Sequence, residues 1–137
     1  MKIITISRTE NFSASHRLYS EKLSAEENEN TYGKCANLGG HGHNYTLIVT
    51  LKGIPDSKTG MVFSLSELKS IIRREIIDKV DHKNLNSDVP FLKAVIPTAE
   101  NLASVFFDIL DDQLPNNMLQ EVRIIETTKN SAAVRRA

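Results

Sequence analysis

The chain has 137 residues and carries 17 basic and 17 acidic side chains, a formal charge of zero at pH 7. That length suits one compact domain, residues 1–137, with room for a hydrophobic core, and the balanced charge gives no argument for a nucleic-acid surface or an anionic membrane partner. No stretch is long and apolar enough to span a bilayer, the opening "MKIITISRTE" does not read as a secretory signal, and the single cysteine cannot form an internal disulfide, so a cytoplasmic setting is expected.

Residues 2–17 are rich in Ile, Thr and Ser and read as an extended strand, with Phe12, Ala14 and His16 on one parity. The polar stretch "SEKLSAEENENTYGKCANLGG" reads as a long loop with one helical turn at "SAEEN"; loops of this length in compact domains are commonly functional. "HNYTLIVTL", residues 43–51, predicts a second strand with His43, Tyr45, Leu47, Val49 and Leu51 on one face. After the turn signal "PDSKTG", Ser64 and Glu67 have capping-box spacing. Leu65, Leu68, Ile71, Ile72, Ile76 and Val80 then predict a helix over 65–80.

Thr98 is the expected N-cap of a second helix whose stripe is Leu102, Val105, Phe106, Ile109 and Leu110. "LPNN" closes that helix, and "EVRIIET", residues 121–127, predicts a strand. "SAAVRRA" reads as a short edge strand or a frayed end. The pattern indicates an α+β fold, an antiparallel four-stranded sheet with two helices on one face. The other face then needs water or another subunit to cover it.

Two of the chain's four histidines stand one residue apart in "GGHGHNY". On a strand, His41 and His43 would present their imidazoles to the same side. Pairing of the two predicted strands could bring His16 beside them. Three imidazoles with an open fourth position form the pattern of a catalytic zinc, and an all-nitrogen donor set favours zinc over magnesium or calcium. Cys35 lies six positions before His41. It would serve either as a fourth, structural zinc ligand or as a thiolate base beside the metal; spacing leaves both open. Asp81 and His82 follow the first long helix, where a histidine charge also suits a helix C-terminus. Glu126 shares the parity of Val122 and Ile124, so a carboxylate interrupts an apolar face and needs a partner. A planar, guanidine-like ligand edge would supply two parallel hydrogen bonds.

With "FSASHRL", "LSAEEN", "GKC" six residues before "HGHNY", "TGMV", "DHKNL" with "DVP", "TAEN" and "ET" in this order, the chain resembles the 6-pyruvoyltetrahydropterin synthase family from about Phe12 to Thr127. The resemblance implies conversion of 7,8-dihydroneopterin triphosphate to 6-pyruvoyltetrahydropterin and triphosphate in tetrahydrobiopterin biosynthesis. It implies zinc on His16, His41 and His43, Cys35 as general base and Asp81 with His82 as a proton relay. Glu126 would anchor the pterin, Thr98 and Glu100 would line its pocket, and Mg2+ would be required. It further implies the tunnelling fold, in which trimers form a β-barrel and pair as a homohexamer with active sites between subunits. Three positions depart from the family pattern: Ser64 replaces Asp or Asn, Ala99 replaces a hydroxyl residue, and the tail is less apolar.

Two rival readings follow. A 6-carboxytetrahydropterin synthase would act on the same substrate, but the five residues between Cys35 and His41 favour the pyruvoyl enzyme. A non-catalytic zinc-stabilised binding module would use Cys35 to close the metal site and would leave Asp81, His82 and Glu126 without a role.

Overall fold

The computed structural model describes residues 2–137. Two strands of thirteen residues, β1 (Ile4–His16) and β2 (His41–Gly53), form its spine. They pair antiparallel from Ile4 opposite Gly53 to His16 opposite His41. Between them lie helix α1 (Ala25–Tyr32) and a 3-10 turn, Gly33–Ala36. The expected single turn at "SAEEN" is thus a helix of eight residues. Ser24 and Glu27 form a reciprocal capping box at its start, satisfying backbone donors that water would otherwise have to meet.

After β2 the chain forms α2 (Leu65–Ile72), started by the Ser64 side chain accepting from the Glu67 amide. It continues through a π-helical segment, Arg73–Ile77, into a last α-turn, α3 (Asp78–Val80). The predicted helix over 65–80 is therefore present but not uniform. β3 (Lys83–Asn84), α4 (Ala99–Asp111), β4 (Leu119–Ile125) and β5 (Ser131–Arg135) complete the chain.

The sheet has five strands in the order β3-β1-β2-β4-β5 and is mixed, which corrects the expectation of four antiparallel strands. β3 pairs parallel with β1, while all other neighbours are antiparallel. A strand of two residues is too short for alternation to register in a sequence pattern. The tail "SAAVRRA" does supply an edge strand, β5. β2 begins at His41 rather than His43, and β4 ends at Ile125, one residue before Glu126.

One sheet face is the core. Phe12, Ala14, Tyr45, Leu47, Val49, Leu51, Val122 and Ile124 are buried there under Leu68, Ile72, Ile76, Leu102, Phe106 and Leu110 of the helices. Each buried Val, Leu, Ile or Phe side chain among them contributes about 1.5–3 kcal/mol by leaving water. Glu10 is the exception on this face: it is buried, but Arg8 and Arg73 both donate to its Oε1, at 2.8–3.1 Å and 3.0 Å. Burial works to raise its pKa, and the two guanidinium groups outweigh it and hold the carboxyl below the usual range. The opposite face is polar. There Thr46 donates to Asn11 and Ser13 to Asn44 across the strands. Among the described residues, no helix is long and apolar enough to cross a membrane.

Candidate active site

The site begins where β1 ends. His16 is the last residue of that strand and stands opposite His41, the first of β2. His43 lies two residues further along β2, on the same face. The three rings stand edge to face, with centroids 4.7–5.0 Å apart. One nitrogen from each lies within 4.8 Å of the others.

His16 is 1% exposed, and its Nδ1 lies 2.8 Å from the Pro97 carbonyl oxygen. That oxygen can only accept, so Nδ1 carries the proton and donates. In the neutral ring Nε2 then holds the lone pair, and it lies 3.2 Å from Nε2 of His41. Burial pushes the pKa of His16 and of His43 down, against the opposing pull of Glu126. Both rings are thus biased toward the neutral form that binds metal. Nε2 of His43 is buried without a hydrogen-bond partner; the nearest acid, Glu126 Oε1, is 3.8 Å away. A desolvated, partnerless nitrogen is costly unless something else satisfies it. A divalent cation held by the three nitrogens would do so, and the donor set matches zinc.

Cys35 borders this cluster, with Sγ 3.9 Å from His41 Nε2 and its side chain half-buried. Its loop is tied to the end of β1, where the Leu18 amide donates to the Cys35 carbonyl at 2.8 Å. Gly40 lets the loop return: its φ is +68°, and an added Cβ would sit 2.6 Å from the His16 carbonyl oxygen. Glu126 follows β4 and turns its carboxylate toward the same cluster.

Tyr45 was not singled out from the sequence as a site residue, although its parity with His41 and His43 pointed here. Its hydroxyl lies 3.2 Å from His16 Nδ1. Burial, then the charge of Glu126 and of Cys35, pushes its pKa well above the usual value, so it stays protonated. Nothing in the sequence signalled the Pro97 carbonyl, because a main-chain acceptor leaves no compositional trace.

Asp81 and His82 are together but elsewhere. Asp81 Oδ1 lies 3.0 Å from His82 Nδ1 and accepts from the Ser13 amide at 2.9 Å. His82 is held at φ +61°, its amide donating to the Ser13 carbonyl, and its ring is 82% exposed. His82 borders an open depression with Ser13, Ser15, Asn44 and Asn84, beside the polar sheet face, and His43 lines the same depression. Within the described chain no contact joins the Asp81–His82 pair to Cys35. Thr98 caps α4 by accepting from the Asn101 amide, and Glu100 is exposed in the first turn. Neither touches the histidines directly; their segment reaches the site through Pro97.

Fold and donor set together define an α+β protein with a three-histidine centre suited to a metal, bordered by a thiol and a carboxylate. The family model described as 6-pyruvoyl tetrahydropterin synthase matches residues 5–137. The chain is 47% identical over 134 residues to the 6-pyruvoyl tetrahydrobiopterin synthase of Dictyostelium discoideum, covering 98% of this chain and 97% of that one. The solved structure of Caenorhabditis elegans 6-pyruvoyl tetrahydropterin synthase superposes with a TM-score of 0.93 at 45% identity, covering 100% and 98% of the two chains. The 6-carboxy-5,6,7,8-tetrahydropterin synthase of Aquifex aeolicus (strain VF5) is 30% identical over 156 residues, covering 96% and 94%. The chain belongs to the 6-pyruvoyl tetrahydropterin synthase family.

Proposed function

We propose that this protein is a zinc-dependent lyase of tetrahydrobiopterin biosynthesis. It converts 7,8-dihydroneopterin triphosphate to 6-pyruvoyltetrahydropterin and triphosphate in the cytoplasm, with residues 1–137 acting as one domain. The observation that carries this reading is the buried, partnerless Nε2 of His43 inside the His16–His41–His43 cluster, in a chain so similar to named synthases along its length. Zinc held by those three residues would polarise the substrate's side-chain oxygens and acidify the adjacent hydroxyl and C–H groups.

Cys35, at the edge of the cluster, takes the proton from a side-chain carbon. Glu126 accepts two parallel hydrogen bonds from the guanidine-like edge of the pterin, and this fixes the ring relative to Cys35. The segment of Thr98 and Glu100 lines the pterin pocket. Asp81 keeps its charge because the Ser13 amide, and then His82, hold its pKa low. An anionic Asp81 orients the His82 ring through its Nδ1, 3.0 Å from Asp81 Oδ1. Since the pair makes no contact with Cys35 in its own chain, it serves the site of a neighbouring subunit. The trimeric barrel and homohexamer implied by the family resemblance would supply that neighbour, with β3 and β5 as the available sheet edges. Mg2+ accompanies the triphosphate.

Product analysis tests the reaction. Anaerobic incubation of the zinc-loaded protein with dihydroneopterin triphosphate and Mg2+ should yield a pyruvoyl tetrahydropterin and free triphosphate by mass. A carboxylated pterin with acetaldehyde would move the protein to the sister activity. The higher identity to the pyruvoyl enzymes and the five-residue spacing from Cys35 to His41 both argue against that result.

Glu126→Ala should chiefly weaken substrate binding. Loss of two hydrogen bonds to a charged acceptor predicts a KM rise on the order of 10²–10⁴-fold, with bound zinc retained. An unchanged KM would remove Glu126 from the pterin pocket.

A further inference from the structure

Of the seven arginines, six pair with a carboxylate: Arg8 and Arg73 with Glu10, Arg74 with Glu75, Arg123 and Arg135 with Glu121, and Arg136 with Asp111. Arg17 does not. Among the described residues it has no acid within ion-pair distance, yet it is held firmly. The Asn86 side chain grips its backbone at both ends, accepting from the Arg17 amide at 2.7 Å and donating to its carbonyl at 2.9 Å. The guanidinium carbon sits 4.1 Å over the Tyr19 ring, and Nε donates to the Ala36 carbonyl at 2.9 Å. Both terminal Nη groups have no hydrogen-bond partner among the described residues.

A guanidinium fixed in this way presents its two outer nitrogens with little entropy left to lose, and that fork matches a phosphate. Arg17 borders a cleft of about 760 Å³, together with Lys34, Asn30, Asn37 and a single acid, Glu29. Arg17 follows His16 directly, and Ala36 follows Cys35, so this charge is anchored beside the base and one peptide from the metal cluster. The pairing of Arg17 with Lys34 leaves the cleft net positive.

We infer that Arg17 is a polyphosphate-binding residue that receives the triphosphate of the substrate at the cleft shared with Lys34. This deepens the proposed reaction and rests on it. The substrate's leaving group carries several negative charges, and the histidine cluster with Glu126 provides no cation for them apart from the metal. Arg17 and Lys34 supply that counter-charge from the chain itself.

Arg17→Gln is the sharp test, because the glutamine amide nitrogen occupies the position of Nε. It can still donate to Ala36 while the phosphate fork is lost. Calorimetric titration of the zinc-loaded, full-length protein with sodium tripolyphosphate should show saturable binding that weakens at least about tenfold in Arg17→Gln and also weakens with salt. Bound zinc and the melting temperature should be unchanged. With the pterin triphosphate, KM should rise by a similar factor while kcat changes little. Arg17→Lys keeps the charge without the fork, and should fall between wild type and Arg17→Gln; it also serves as the second variant should Arg17→Gln fold poorly. No tripolyphosphate binding by the wild type, or equal binding by wild type and variants, overturns the inference. Weakened tripolyphosphate binding with an unchanged KM would assign the cleft to some other polyphosphate and equally overturn its role in substrate binding. If the protein fails to turn over the pterin triphosphate but still binds tripolyphosphate through Arg17, the proposed reaction falls and the anion site stands.

Discussion

Replacing Cys35 with alanine should lower turnover by about 10²–10⁴-fold, the usual contribution of a positioned general base, while leaving the metal and the fold in place. The geometry separates these outcomes. The three imidazoles already cluster within 4.8 Å without the thiol, whose Sγ approaches only His41, at 3.9 Å. The side chain is half-buried and no buried polar group depends on it, so its loss leaves little cavity and no orphaned partner. The turn that carries it is held instead by main-chain contacts, including the Leu18 amide on the Cys35 carbonyl. Steady-state kinetics, elemental analysis for zinc and a thermal melt on one preparation would read all three quantities. Loss of zinc together with activity would show that the thiol completes a closed metal site, and the binding-module reading would then take precedence.

His16→Ala should have the opposite profile, losing metal first and activity as a consequence. Removing an outer partner of a metal ligand typically costs 10–100-fold in affinity, and removing the ligand itself should exceed about that range. Stability should fall as well. His16 is 1% exposed, donates to the Pro97 carbonyl and lies 3.2 Å from the Tyr45 hydroxyl. Truncation leaves both oxygens facing a cavity, and one buried unsatisfied polar group costs about 1–3 kcal/mol. Zinc titration of the apo-protein and a denaturant melt in the presence of chelator would separate the two effects. A variant that keeps wild-type zinc affinity would show that the ion is not bound where the histidines converge.

The features that were legible in the sequence are those written in short-range periodicity. His41, His43 and Tyr45 share a strand face because alternation is local, and the stripe from Leu68 to Val80 announced a helix for the same reason. His16 joined the cluster only through pairing with His41 across 25 positions, which the sequence suggested but could not fix. β3 escaped notice because two residues carry no pattern, and its parallel pairing with β1 is set by where the preceding helix delivers the chain. The full length of helix α1 is not legible in the sequence, since its residues are polar nearly all round. Its stability comes from the Ser24–Glu27 cap and from Asn28, which is buried and bonded to the backbone of Ser20, Leu23 and Ser24. The sequence does not fix where Asp81 and His82 stand in space: among the described residues no hydrogen bond or ion pair joins the pair to the histidine cluster, and it is tied to Ser13 instead.

The π-helical segment at Arg73–Ile77 bears on that last point. Leu68, Ile71 and Ile72 face the core ahead of it, and an unbroken α-helix would next turn Glu75, Ile76 and Lys79 inward. The buried residues are instead Ile76, Ile77 and Val80. The wide turn absorbs one residue and rotates everything after it by about 100°. Two charged side chains, Glu75 and Lys79, are thereby turned outward into a surface pair 3.7 Å apart. Val80 becomes the final anchor, so the chain leaves the helix at Asp81 rather than one residue sooner. This single extra residue acts as a phase adjuster: it sets where the Asp81–His82 pair meets the end of β1, so that Asp81 accepts from the Ser13 amide and the His82 amide donates to the Ser13 carbonyl.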